Sequence, residues 1–249
     1  MVCKACRTKM FGYLYDTFLP LRKLIIFSMS KISKQVQKCP YCGKKVEYKM
    51  YESVNSTLNP EFKDKLMTGE LFDVKCECCN KVFRVFYNLL YHDMKKNLMI
   101  LFAPTDYEDS KKQMNELLDK FPGTRRTLYR ITDDFRKFIE KIHIFDDDLN
   151  DVAIELSKVI IRGDKESNIP DNSSLHYMKI VETEKSGKVL VFIIVPEEGE
   201  NTCCLLPFDA YLQYNESVKD DAYFKTTYYA ENIDEEWILE RVSKGKSTT

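Results

Sequence analysis

Nine cysteines stand in this chain of 249 residues, and Cys76, Cys78 and Cys79 fall within four positions. Thiolates at Cys-x-x-Cys spacing can wrap one metal ion from a single tight turn. Two stretches carry that spacing and align by their flanks. The first is Lys38-Cys39-Pro40-Tyr41-Cys42-Gly43-Lys44; the second is Lys75-Cys76-Glu77-Cys78-Cys79-Asn80-Lys81. Cys39 matches Cys76, Cys42 matches Cys79, and Cys78 falls opposite Tyr41. Gly43 and Asn80 follow the second cysteine of each pair, and these two residue types tolerate a left-handed backbone best. Such a bend lets both sulfurs face one ion while backbone amides point at the thiolates. Cys39, Cys42, Cys76 and Cys79 are therefore the expected ligands, and Cys78 is the spare.

Four thiolates suit a closed tetrahedral zinc site with Zn–S near ~2.3 Å. All four positions come from protein, so water or substrate has no place, and the expected zinc is structural. Tetrahedral sulfur also fits iron, which stays open as the competitor. A dithiol redox couple would leave one pair unexplained. Cys42 and Cys76 lie 34 positions apart, longer than the ~15–20 of a compact ribbon. An inserted helix accounts for the excess: in "NPEFKDKLMTG" Asn59 can cap, Pro60 suits the first turn and Gly69 the exit.

The surrounding elements can be read from periodicity. "VEYKMYESV" (46–54) alternates as a half-buried strand, and "LFDVK", "KVFRVFY" (81–87) and "LMILFA" (98–103) read as further strands. Three helical stripes come next: Met114, Leu117, Leu118, Phe121; then Phe135, Phe138, Ile139, Ile142; then Leu149, Val152, Ala153, Leu156. After the polar loop "RGDKESNIPDNSS" come a hairpin with its turn at Ser186-Gly187, the apolar run "VLVFIIV", "TCCLLP" as a third strand, and two short helices, one docking Trp237. A run apolar at every position suggests a strand buried on both faces. The fold class expected is α+β: an N-terminal zinc-ribbon-like β domain with an inserted helix, then helices, then a C-terminal α+β unit with a small antiparallel sheet. The expected divisions are a leader at 1–30, the ribbon at 31–105, a helical region at 106–162 and the last unit at 163–249.

Charge and composition narrow the function classes. The chain is 44% hydrophobic with net charge −1, enough for a sizeable core and without general attraction to nucleic acid or acidic lipid. Residues 1–50 nevertheless hold 11 basic and 2 acidic residues, a charge of +9, leaving −10 for the remainder. Clustered, odd-numbered cysteines point to a reducing, cytoplasmic setting. No apolar run reaches the ~18 residues of a membrane span. Arg22 and Lys23 break the apolar stretch of the first 30 residues, which argues against a secretory signal. That leader differs in texture from the regular patterns downstream of it, and initiation near Met29 is the expectation.

"CPYCG", "ESVNSTLNPEFKDKLMTGELFDVKCECC" and "LLYHDMKKNLMI" together resemble the CpXC family, from about Lys38 to Pro104. "EKIHIFDDDLNDVAIELSK" is similar to the helical extension of its longer members. The resemblance implies a zinc-ribbon-like domain in a soluble bacterial protein, with the family's paired cysteines at Cys39, Cys42, Cys76 and Cys79. Glu77 and Asn80 depart from the family pattern, where proline and glycine are common, and neither departure removes a ligand. The family is poorly characterised, so the resemblance implies no reaction.

Other residues have structural readings. Cys3 and Cys6 form half a site. Cys203 and Cys204 read as small buried residues on a strand. In Tyr91-His92-Asp93 a histidine supported by an aspartate could act as a base, but no phosphate loop or nucleophile motif lies nearby, and a structural His–Asp turn is the simpler reading. His143 and His176 read as packing residues. Asp146 to Asp148 lack the pattern of a calcium loop and read as caps of the next helix. Lys44, Lys45 and Lys81 lie among aromatics, a combination that can bind single-stranded nucleic acid. The leading expectation is a non-catalytic protein-interaction module with structural zinc and a protein partner. A nucleic-acid-binding ribbon using Lys44, Lys45 and Lys81 is the alternative. An enzyme with a cleft near His92 and Asp93 is the third.

Overall fold

The structure, a computed structural model, describes residues 30–121, 126–164, 167 and 169–246. The leader, with Cys3, Cys6 and Met29, lies outside the described residues. The architecture is α+β, as the periodicities predict, and its chain divides into two compact units between Met99 and Ile100.

In the first unit, β1 (Lys31–Lys38) and β2 (Lys45–Asn55) form an antiparallel hairpin, Lys38 facing Lys45, with Cys39 to Lys44 as its turn. Alternation works as expected on β2. Val46, Tyr48 and Met50 point inward, whereas Glu47 and Lys49 are exposed. Helix α1 (Pro60–Thr68) has proline in its first turn and ends on Gly69 at φ 79°. Asn59 occupies the N-cap position without a capping bond; instead, Asn55 Oδ1 accepts the amides of Thr57 and Leu58 one turn earlier. Gly69 is needed twice. Its φ favours glycine, and a Cβ there would lie 2.6 Å from the Arg84 guanidinium, which Asp73 holds through two hydrogen bonds. A second, shorter hairpin comes next, β3 (Asp73–Lys75) and β4 (Val82–Arg84). Both strands are shorter than their apolar patterns suggest: Leu71 and Phe72 sit in a buried 3₁₀ turn before β3, and β4 stops at Arg84. Strand β5 (Leu89–Asp93) pairs with β2 in parallel, Leu90 opposite Ser53. The division between units falls within β6 (Leu98–Phe102).

The second unit opens with α2 (Tyr107–Lys120) and β7 (Leu128–Thr132). Strand β7 interrupts a region expected to be helical throughout; Tyr129, Ile131 and Thr132 are aromatic or β-branched, but five residues are too few to show a period. Helices α3 (Phe135–Asp146) and α4 (Asp151–Gly163) come after it. Asp134 caps α3 by accepting the amides of Arg136 and Lys137. The cap of α4 is Asn150, which accepts from Val152, not the expected Asp146 to Asp148. Those aspartates close α3 instead: the amides of Asp147 and Asp148 donate back to His143 and Phe145, with Asp148 at φ 56°. Strands β8 (Ser173–Thr183), β9 (Gly187–Pro196) and β10 (Thr202–Pro207) form an antiparallel sheet in the order β10-β9-β8. The apolar run on β9 is buried at Leu190, Phe192 and Ile194 on one face and at Val189 on the other; Val191, Ile193 and Val195 are half-buried. Helices α5 (Phe208–Asp220) and α6 (Glu235–Lys246) complete the unit. Its core joins Ile144, Val152 and Ile154 from α3 and α4 to Leu175, Tyr177 and Phe192 of the sheet, with Trp237 and Ile238 from α6.

Beside this core lies a buried chain of charges. Arg130 is bonded twice to Asp151, at 2.6 and 3.0 Å. Lys141 lies 3.5 Å from Asp151 and 2.9 Å from Glu155. Lys158 lies 2.7 Å from Glu155 and 3.0 Å from Glu140, and His176 Nδ1 is 3.1 Å from the other oxygen of Glu140. Three cations balance three carboxylates here. Burial pushes the Glu140 carboxyl up, but Lys158, His176 and Lys141 outweigh it and hold it down at about 2. Asp151 is likewise held at about 2, where Arg130 and Lys141 overcome burial. For Glu155, burial prevails and its value rises.

Candidate metal centre

The two hairpins of the first unit present equivalent turns. In the first, the Gly43 amide donates to Cys39 O (2.9 Å) and the Cys39 amide to Lys44 O (2.8 Å). In the second, Asn80 donates to Cys76 O (2.8 Å) and Cys76 to Lys81 O (2.9 Å). Gly43 has φ 72° and Asn80 φ 58°. The left-handed residue falls at the same place in both turns, as the residue types predict. It turns the following amide onto sulfur: Lys44 N–H points at Cys42 and Lys81 N–H at Cys79; within the second turn the amides of Cys78 and Cys79 also point at Cys76.

These turns bring the four expected sulfurs together. Cys39 and Cys79 lie 3.7 Å apart, Cys42 and Cys76 3.6 Å, and the four sulfurs all lie within 4.8 Å of one another. A tetrahedron with metal–sulfur bonds of about 2.3 Å has edges of about 3.8 Å, so the group could hold a metal ion. Cys78 is exposed and does not belong to the group. Cys39 and Cys76 are buried, Cys79 half-buried and Cys42 exposed. The thiols are electrostatically unequal. The Cys79 amide, opposed by burial, draws Cys76 down to about 7. At Cys42 the Lys44 amide also acts downward, but burial and the neighbouring sulfurs push the thiol up to about 12. Crowded thiols cannot all ionise unless a cation replaces their protons.

Packing alone holds this region weakly. Cys39, Val46, Val74 and Cys76 are its buried apolar residues, with Tyr48, Cys79, Phe83 and Val85 partly buried against them. Two buried valines contribute about 3–6 kcal/mol at ~1.5–3 kcal/mol each, before chain entropy is subtracted. A structural zinc contributes about 10–16 kcal/mol. Ligation at the cysteines, not packing, would decide whether the turns stay folded.

The remaining candidate residues separate. Lys44 and Lys45 are exposed and, with Cys76, Glu77 and Cys78, line a cavity of about 480 Å³. The Lys81 ammonium lies 4.6 Å from the centre of the Tyr41 ring. Asp93 builds a turn, its Oδ1 accepting the amides of Lys95 and Lys96, and His92 O accepts both the amide and the hydroxyl of Ser56. Cys203 is exposed and Cys204 half-buried, not a buried pair, because β10 ends its sheet. His176 does more than pack, since it is bonded to Glu140. The buried charge chain was missed by periodicity; its signal was Glu-Lys pairs, Glu140-Lys141 and Glu155 with Lys158, set beside apolar stripes.

No helix among the described residues is long and apolar enough to cross a membrane. Neither the curated proteins nor the solved structures contain a match to the chain. Residues 37–158, from the strand before the first cysteine turn into α4, match the family model described as CpXC protein, and through them the chain carries a CpXC-family region.

Proposed function

We propose that the chain is a non-catalytic interaction module in which Cys39, Cys42, Cys76 and Cys79 hold a structural zinc ion. One observation carries the reading: four protein sulfurs at near-tetrahedral spacing leave no coordination position for water or substrate. Zinc with four thiolates has a formal charge of −2, which the amides of Lys44 and Lys81 and the neighbouring lysines offset. Free thiols in this arrangement need a reducing compartment, in keeping with a cytoplasmic protein. The partner is a protein. X-ray absorption on protein purified without added metal tests the site. Four sulfurs at about 2.3 Å around zinc are expected. Iron, or a nitrogen or oxygen ligand completing the shell, would overturn it. Affinity purification tests the partner, and recovery of nucleic acid alone would replace protein with the alternative that Lys44, Lys45 and Lys81 serve.

A further inference from the structure

The β1–β2 hairpin carries a face built against its own stability. Lys38 is directly opposite Lys45, and Lys34 directly opposite Lys49. Side chains two apart share a face, so Lys34, Val36 and Lys38 lie beside Lys45, Glu47 and Lys49. All six are exposed, and Glu47 is engaged by Lys34 at 2.7 Å. Like charges directly opposite one another destabilise a hairpin. Lysines are common on edge strands, where they block aggregation, but Lys45 and Lys49 are on the inner strand, where that need does not arise. At the centre of the cationic face Val36 is 59% exposed.

Resting on the interaction-module reading, we propose that this face binds an acidic, extended segment of a partner protein, added as a strand along β1. Three observations converge. The charge selects an anion. Among the described residues no strand pairs with the outer edge of β1, and strand pairing there would draw affinity from main-chain bonds and specificity from alternate side chains. Val36, flanked by Lys34 and Lys38, matches a segment with an apolar residue between two carboxylates at alternate positions. A single-stranded nucleic acid fits less well, because it needs stacking platforms. This face has no aromatic side chain: Tyr48 points to the opposite face, and Tyr41 already lies under Lys81.

The test uses the full chain, with zinc content measured on the same sample. The probe is a labelled peptide alternating glutamate and threonine around a central leucine, followed by fluorescence anisotropy. Binding that weakens with salt is expected. It should fall at least tenfold in Lys45→Glu/Lys49→Glu, and severalfold in Val36→Ser. The double variant turns both like-charge pairs into opposite-charge pairs, so it should unfold no more easily than the parent, which separates lost binding from lost folding. Lys185→Glu, in the turn of the second unit's hairpin, should bind normally. N-methylation of alternate peptide amides should abolish binding. Absence of binding at millimolar peptide overturns the proposal, as does tighter, lysine-dependent binding of an oligothymidylate, or binding insensitive to the double variant. A zinc-loaded chain that ignores the peptide overturns only this face. A metal-free chain that binds it overturns only the structural-zinc reading.

Discussion

Both units bring ionisable groups close together, and they can balance them differently. The second unit supplies both signs itself: Arg130, Lys141 and Lys158 meet Asp151, Glu155 and Glu140, every one nearly inaccessible. The first unit gathers four potential anions at the cysteine turns and, among the described residues, buries no lysine or arginine to balance them. Under the zinc reading, the positive charge that lets these thiols ionise would come from outside as a metal ion. The surrounding cores differ in the same direction. Two valines and two cysteines are buried around the turns, whereas the second unit buries a continuous set from Ile144 to Ile238. On the zinc reading, a region with few apolar contacts would depend on an imported cation, while a large core buries its own ion pairs.

Chelation should break this comparison most visibly. A strong zinc chelator at neutral pH is expected to remove about 10–16 kcal/mol of support from the cysteine turns. Hydrogen exchange would then show loss of protection in peptides covering 38–50 and 73–85, with protection of α4 and β9 retained. Trp237, the single tryptophan, belongs to the second unit, and its fluorescence should not change.

The second unit should break at its own ions. Lys158→Met leaves Glu140 and Glu155 short of a buried partner and should cost about 3–5 kcal/mol, read as an earlier urea midpoint in Trp237 fluorescence. Metal content should be unchanged, because no cysteine ligand belongs to this unit.

Acid provides a graded version of the same test. Glu140 and Asp151 are held at about 2, below their ordinary values of 4.5 and 3.8. Folding therefore releases protons from them, and their stabilisation is complete above about pH 5 and lost as pH falls toward about 2. Glu155, shifted upward, acts in the opposite sense and softens that loss. The urea midpoint of Trp237 should thus decline between about pH 5 and 2, and Glu140→Gln should flatten the decline.

Smaller effects sharpen the account of the turns. Gly43→Ala meets no atom within 4 Å of its new Cβ, so only the left-handed backbone resists it. A cost of about 1–2 kcal/mol is expected, seen as weaker zinc retention in competition with a chromogenic chelator. Cys78→Ser should leave the metal stoichiometry unchanged in elemental analysis.

The cysteine turns were legible because their determinants are local. Spacing, the residue after each second cysteine and the flanking lysines lie within seven positions, and the matching of Cys39 with Cys76 and of Cys42 with Cys79 repeats in the hydrogen bonds of the two turns. The proline and glycine bounding α1 are local signals too. Strand β7 was not legible, since five residues show no period and are held by neighbours distant in sequence.

Which sulfurs could share an ion, where the chain had to turn left-handed to let them, and the α+β class can all be read from local residue types and spacing. The burial of Glu140, Lys141, Glu155 and Lys158, and the placing of Lys38 against Lys45 across a hairpin, emerge from the folded arrangement alone. Both depend on what lies opposite in space, and charged residues read the same in sequence whether their neighbour is water, a counterion or a like charge.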